Sequence, residues 1–146
     1  MQKFLELARI LALDYGIKRT GIAVTDEMQL IASGLEAVAT GSLFAYLESY
    51  FAKESVELVV VGEPKKLNGQ PSESEQFIQP FLRKWMEVFP TMPIERQDER
   101  FTSKIAFQSM IDGGLRKKKR QDKALIDEIS ATLILQAYLD LSLIHI

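Results

Sequence analysis

Five acidic side chains stand where the chain's apolar pattern breaks: Asp14, Glu63, Asp98, Glu99 and Asp127. Asp14 closes the unbroken apolar run Ile10-Leu11-Ala12-Leu13, the pattern of a strand covered on both faces. A carboxylate at the mouth of a buried strand loses hydration, which is unfavourable unless a cation compensates. Glu63 follows a second fully apolar run, Leu58-Val59-Val60-Val61-Gly62, and Asp98-Glu99 follow the short strand-like stretch Pro93 to Gln97. Clustered oxygen donors suit Mg²⁺ or Mn²⁺, whereas zinc normally takes His or Cys. One or two such ions can activate a water and stabilise the leaving oxygen in phosphodiester cleavage. Lys18 and Arg19, four and five residues after Asp14, add bases that suit a phosphate.

Each residue also has a plain structural use. Asp14 can cap its own turn, and Asp127 near a helix N-terminus suits the macrodipole. What favours a site is that the acids recur at corresponding ends of successive elements. In open α/β sheets ligands gather at the carboxyl ends of the strands, near the switch in strand order.

The elements that must position these acids follow from periodicity. The stretch Ile10–Asp26 reads as a buried strand, a tight polar turn carrying Lys18 and Arg19, and a second strand running back, with Gly16 and Gly21 allowing positive φ or close approach of another backbone. Leu30–Ala39 reads as a third antiparallel strand, bulged at Gly34. Ser42 can cap a helix to about Glu54, with Leu43, Leu47, Tyr50 and Phe51 on one apolar face. After the Leu58–Gly62 strand, Lys65–Ser72 is a turn-rich loop, and Ser72 or Ser74 starts a helix. Phe77, Phe81, Trp85 and Val88 form its expected buried stripe, with a kink or fresh start at Pro80. Ser103 can cap a helix to about Asp112, which Gly113-Gly114 would end. Arg116-Lys117-Lys118-Lys119-Arg120 follows, a basic run between two ordered elements. The last helix spans about Lys123–Ser142, with Asp127, Ala131, Ile134 and Tyr138 on one side. The order β-β-β-α-β-α-β-α-α predicts an α/β fold: a mixed five-stranded sheet, an antiparallel meander plus parallel strands, with helices on both faces.

Composition narrows the function classes. The 146 residues suit one domain, with Met1–Arg9 as a short lead-in and 141–146 as a C-terminal tail. Net charge is −2, so a nucleic-acid surface must come from locally segregated bases. The chain has no cysteine, which excludes disulfides and thiolate metal sites and is compatible with a reducing cytoplasm. The single histidine, His145, lies in the apolar tail, so no histidine-based nucleophile pair is available. No apolar run approaches the roughly 20 residues of a membrane span, and no membrane partner is expected.

Three motifs resemble the YqgF (RuvX) family of RNase H-like nucleases, also described as Holliday junction resolvases. They are Asp14-Tyr15-Gly16 with Lys18-Arg19-Thr20-Gly21-Ile22-Ala23-Val24-Thr25-Asp26, then Asp98-Glu99-Arg100-Phe101-Thr102-Ser103, then Asp127-Glu128-Ile129-Ser130-Ala131-Thr132 leading into Ile134-Leu135-Gln136. Val61-Gly62-Glu63-Pro64 with Asn68-Gly69 is a supporting match. The resemblance implies an RNase H-like fold, divalent-metal nuclease chemistry, and processing of the small-subunit ribosomal RNA precursor in the cytoplasm. Carried over by motif, Asp14, the acid of the Asp98-Glu99 pair and Asp127 are the metal-binding carboxylates, with Glu99 carried as the catalytic member of the pair. Strand alternation turns Asp98 and Glu99 to opposite faces, so both stay candidate ligands for Mg²⁺ or Mn²⁺. Lys18, Arg19, Arg100, Thr102 and Arg116, Lys117, Lys118, Lys119 and Arg120 are the candidate substrate-binding residues. Two positions depart from the family: Glu63 stands where an apolar residue is usual, and Ser130 where alanine is more frequent. Related resolvases carry a catalytic glutamate near this strand's end, but a loop acid is the favoured reading of Glu63.

The leading function is therefore a metal-dependent endonuclease on structured RNA. The alternatives are a resolvase acting on four-way DNA, which would favour a homodimer because two strands must be cut, and a weakly catalytic RNA-binding assembly factor. An actin-like ATPase would need a second hairpin lobe, and the chain has one.

Overall fold

The computed structural model describes residues 7–101 and 123–144. Five strands form one sheet in the order β3-β2-β1-β4-β5. They are β1 (Arg9–Asp14), β2 (Arg19–Thr25), β3 (Ala32–Ala39), β4 (Val56–Glu63) and β5 (Ile94–Asp98). β1 pairs antiparallel with β2 and β2 with β3, whereas β4 runs parallel to β1 and β5 parallel to β4. The expected mixed sheet is the observed one. β1 is central and fully paired on both sides, which explains why its apolar run has no polar break.

Among the described residues three α-helices cover the sheet: α1 (Leu43–Lys53), α2 (Glu75–Val88) and α3 (Lys123–Ile144). Strand alternation divides the core into two layers. Leu11, Leu13, Ile22, Val24, Val59 and Val61 face α1 and α2 and pack with Leu43, Leu47, Ile78, Phe81 and Trp85. On the other face Ile10, Ala12, Ala23 and Val60 meet Ala131, Ile134, Leu135 and Leu139 of α3. The first layer is filled by large aliphatic and aromatic groups. The second mixes aliphatic residues with Ala12, Ala23 and Ala131, whose small side chains let α3 lie close to β1 and β2. Trp85 is fully buried in the first layer and donates its indole N–H to the Met92 carbonyl at 3.1 Å.

The bulge expected at Gly34 is present. The β2–β3 register passes from Ile22↔Glu36 to Ala23↔Gly34, leaving Leu35 without a partner. Other local expectations need correction. Neither Ser42 nor Ser74 caps its helix through its side chain; a 3₁₀ turn, Thr40–Ser42, feeds α1 directly. Pro80 lies inside α2, which continues through it as one element. The buried stripe of α2 runs through Ile78, Phe81 and Trp85, not through Phe77, which is 46% exposed, nor Val88. The sets 77/81/85 and 78/81/85 both have helical spacing, and which one faces inward depends on how the helix is rolled on the sheet. The expected helix after Ser103, Gly113-Gly114, Met1–Leu5 of the lead-in and His145 of the tail lie outside the described residues.

An ion pair not expected from sequence ties α2 to the sheet. Arg96 of β5 donates two hydrogen bonds of 2.8 Å to the Glu75 carboxylate and a third of 2.8 Å to the Gly62 carbonyl. The fork fits both acceptors at once, which lysine could not reproduce. Arg96→Ala should lower stability by about 2–4 kcal/mol, measured by urea unfolding, because it strands Glu75 in a partly buried place. The Arg96 hydrogen bonds hold the Glu75 carboxyl below its ordinary 4.5. That contribution is present above pH 4.5 and lost as pH falls through the folded value, so the gap between variant and wild type should narrow in acid.

Candidate active site

Asp14 ends β1 on the face covered by α3. Its strand neighbours on that face are both glycines. Gly21 is its register partner on β2, and Gly62 on β4 follows the Leu13↔Val61 pair. These two glycines make room for the other acids. A Cβ on Gly21 would overlap the carbonyl carbon and oxygen of Asp127, so the first turns of α3 rest on bare backbone there. A Cβ on Gly62 would stand 3.3 Å from the carboxyl carbon of Glu99 and 2.8 Å from Ile134 Cδ1. Gly21 does not use positive φ; the one described glycine that does is Gly69. The close approach read from sequence is thus its role.

Asp14 consequently lies within electrostatic reach of both Glu99 and Asp127. Burial pushes the Asp14 carboxyl up to about 7, and the charges of Glu99 and then Asp127 add to the shift. Burial also raises Glu99 above its ordinary value, against the pull of Arg96. Among the described residues no cation pairs with Asp14. Asp127 is compensated: Arg19 Nε–H donates to its Oδ2 at 2.9 Å across 108 residues of sequence.

The structure separates the Asp98-Glu99 pair. β5 stops at Asp98 and the chain enters a 3₁₀ turn, Glu99–Phe101, so strand alternation no longer governs the second residue. Glu99 turns inward over Gly62. Asp98 turns to Arg100, which grips it with hydrogen bonds of 2.8 to 3.2 Å, while Lys65 Nζ stands 3.8 Å away. The Arg100 hydrogen bonds hold the Asp98 carboxyl below its usual range. Glu63 pairs with Lys65 at 3.4 Å, in keeping with a loop acid. Arg100 also reaches the Leu67 carbonyl at 3.5 Å and lies against Gly69, so it is engaged in holding the Lys65–Ser72 loop. Of the other candidate bases, Lys18 is exposed at the β1–β2 turn, whereas Thr102 and Arg116, Lys117, Lys118, Lys119 and Arg120 lie outside the described residues.

Chemically, Asp14, Glu99 and Asp127 offer only carboxylate oxygens, and Asp14 feels the charges of the other two. The donors fit a hard divalent cation: Asp14 is desolvated among like charges, the condition a bound cation would relieve. Among the described residues no three such side chains stand close enough together to hold a metal ion as they are placed.

A family profile described as "RuvX: Holliday junction resolvase" matches residues 8–141, nearly the whole chain. The chain belongs to the RuvX family. A relative from Christiangramia forsetii, named "Putative pre-16S rRNA nuclease", is 65% identical over 91% of this chain and 98% of its own length. Relatives with the same name from Flavobacterium psychrophilum and Bacteroides thetaiotaomicron are 62% and 53% identical, each over 97% of its own length. Among solved structures, Thermus thermophilus RuvC in complex with a Holliday junction substrate superposes with a TM-score of 0.57 at 18% identity. That match covers 92% of this chain and 96% of RuvC. The likeness establishes the RuvC-type, RNase H-like fold for this RuvX chain.

Proposed function

We propose that this RuvX chain is a divalent-metal-dependent endonuclease. It hydrolyses phosphodiester bonds in structured RNA, with the end of the 16S rRNA precursor as its substrate and the cytoplasm as its place of action. The observation that carries this reading is the convergence of Asp14, Glu99 and Asp127 on one sheet face, around a desolvated Asp14. The names of the close relatives support the RNA substrate. Asp14, Glu99 and Asp127 would hold Mg²⁺ or Mn²⁺. When bound, such an ion supplies Lewis-acid stabilisation of the phosphate and of the leaving oxygen. Arg19 orients the Asp127 carboxylate from the β1–β2 turn, and exposed Lys18 beside it offers a charge to an incoming phosphate. Arg96, near Glu99, holds that acid toward its charged form against the effect of burial.

A second reading has its own support: the family description and the RuvC likeness both favour four-way DNA junctions. A resolvase would work as a homodimer, since two symmetric strands are cut.

Cleavage of a precursor rRNA end and of a four-way DNA junction, each in Mg²⁺ and in Mn²⁺, decides between the two. Wild type should cut the RNA, and Glu99→Gln should slow it by about 100-fold or more, since several kcal/mol of charge stabilisation depend on the acid set. Junction cutting that fails in the variant would shift the assignment to the resolvase. Equal behaviour of both proteins on both substrates would remove the nuclease reading.

A further inference from the structure

Beside the acids, and opening onto Asp127, lies a cavity of about 410 Å³. Besides Gly16, Ser74 and Asp127, its walls are of two kinds. Tyr15, Ile17 and Phe77 supply apolar and aromatic surface, while Lys18 and Arg19 supply positive charge. The size lies within the range of small-molecule sites. Two apolar side chains of the wall stay open to solvent. Phe77 is 46% exposed on α2 although Ile78, the next residue, occupies the core. Ile17 is 65% exposed at the tip of the turn that follows Asp14. Tyr15 is held rigidly, its ring stacked on Phe81 with centroids 4.4 Å apart, so the wall nearest Asp14 is preformed.

We propose that this cavity receives one unpaired nucleobase of the substrate strand, the nucleotide next to the phosphate presented to Asp14 and Asp127. The base stacks on Phe77 and against the Tyr15 side of the pocket, and exposed Lys18 meets a flanking phosphate, while Arg19 stays on Asp127. The inference rests on the nuclease reading and deepens it. A base inside a continuous duplex cannot enter, so the favoured substrate class is a strand end, loop or branch point with an unstacked nucleotide at the cut. Aromatic side chains take unpaired bases with little sequence preference, because every base has a π-face. The occupant is not an acidic ligand alone, because two cations on an open surface would serve that without three apolar walls.

Binding in chelator, where no cleavage occurs, tests the pocket separately from the chemistry. Fluorescence anisotropy would compare a labelled short single-stranded RNA, the same sequence as DNA, and the RNA in a full duplex. Wild type should prefer the single strands. Phe77→Ala should weaken single-strand binding by about 5- to 100-fold and leave the duplex unaffected. The salt dependence should keep its slope, since no phosphate contact is removed. Phe77→Tyr, which keeps a ring, should bind like wild type. An equal loss on RNA and DNA supports a pocket that reads the base face alone; a loss on RNA only supports one that also meets the 2′-hydroxyl. The proposal is overturned if wild type does not prefer single strands, or if Phe77→Ala binds them unchanged. It is also overturned if Phe77→Ala weakens duplex and single strand alike. Failure of cleavage with intact single-strand preference would instead count against the nuclease reading.

Discussion

Asp14→Asn should cripple cleavage and, at the same time, make the metal-free protein more stable. The two effects have one cause. Folding carries the Asp14 carboxyl from an ordinary value of 3.8 to about 7, because it is buried and faces Glu99 and Asp127. A raised folded value means that the native state holds its proton longer than the unfolded chain does. Stability is therefore full below pH 3.8, declines as pH rises from there to about 7, and stays low above it. The loss amounts to about 4 kcal/mol at most. Asparagine is nearly the same shape and never ionises. In chelator at pH 8 the variant should melt roughly 6–12 °C above wild type, and at pH 4 the difference should vanish. Added Mg²⁺ should stabilise wild type, by about 2.7 kcal/mol at a hundredfold excess over Kd, and should leave Asp14→Asn unchanged. Cleavage by the variant should fall by about a thousandfold, the loss expected when a principal charge-stabilising contact goes. Thermal melts across pH with and without Mg²⁺, beside single-turnover cleavage, check all of this. Equal melting of the two proteins at pH 8 would mean that Asp14 is not the strained acid of the site.

Gly21→Ala should damage the site almost as severely without touching any acid. The methyl group would overlap the Asp127 carbonyl and stand 3.1 Å from the Glu128 amide nitrogen. Backbone cannot yield as a side-chain end can, so the start of α3 must retreat by roughly 1 Å or more. Displacement of one participating group by that distance is enough for about a hundredfold loss of rate. Overpacking at the β2–α3 contact should lower stability by about 1–3 kcal/mol. Gly62→Ala is the informative comparison. There the added methyl meets the flexible end of Ile134 and the Glu99 carboxyl group, so its effect on stability should be smaller. Urea unfolding and cleavage assays on both variants give the ranking. Gly21→Ala with wild-type activity would show that α3 need not lie so close to β2.

The apolar runs of β1 and β4 and the meander could be read directly from the chain, because central parallel strands carry an unmistakable pattern. The bulge at Gly34 and the close approach at Gly21 also had a residue-level signal. The places that escaped are those where position depends on distant partners. The roll of α2 is one: Phe77 and Ile78 are both apolar, and only packing against β1 and β4 selects Ile78. The choice between Asp98 and Glu99 is another, since it turns on the chain leaving β5 between them. Arg19 read as a phosphate ligand, yet its hydrogen bond goes to an acid more than a hundred residues later. Arg100 is held by the carboxylate two residues before it. For the Arg96–Glu75 clamp nothing local distinguishes either residue from a surface charge.

The sole tryptophan lies on the far side of the sheet from the acids, enclosed among aromatic rings and hydrogen-bonded to backbone. Its emission therefore serves as an internal optical gauge of the α1–α2 layer that a cation or a nucleic acid at the opposite face does not directly quench. For any variant of Asp14, Gly21 or Phe77, an unchanged emission maximum certifies an intact α1–α2 layer from the same cuvette in which function is assayed. Loss of chemistry and loss of fold, the two outcomes most easily confused in so small a nuclease, then have separate spectroscopic signatures without an added label.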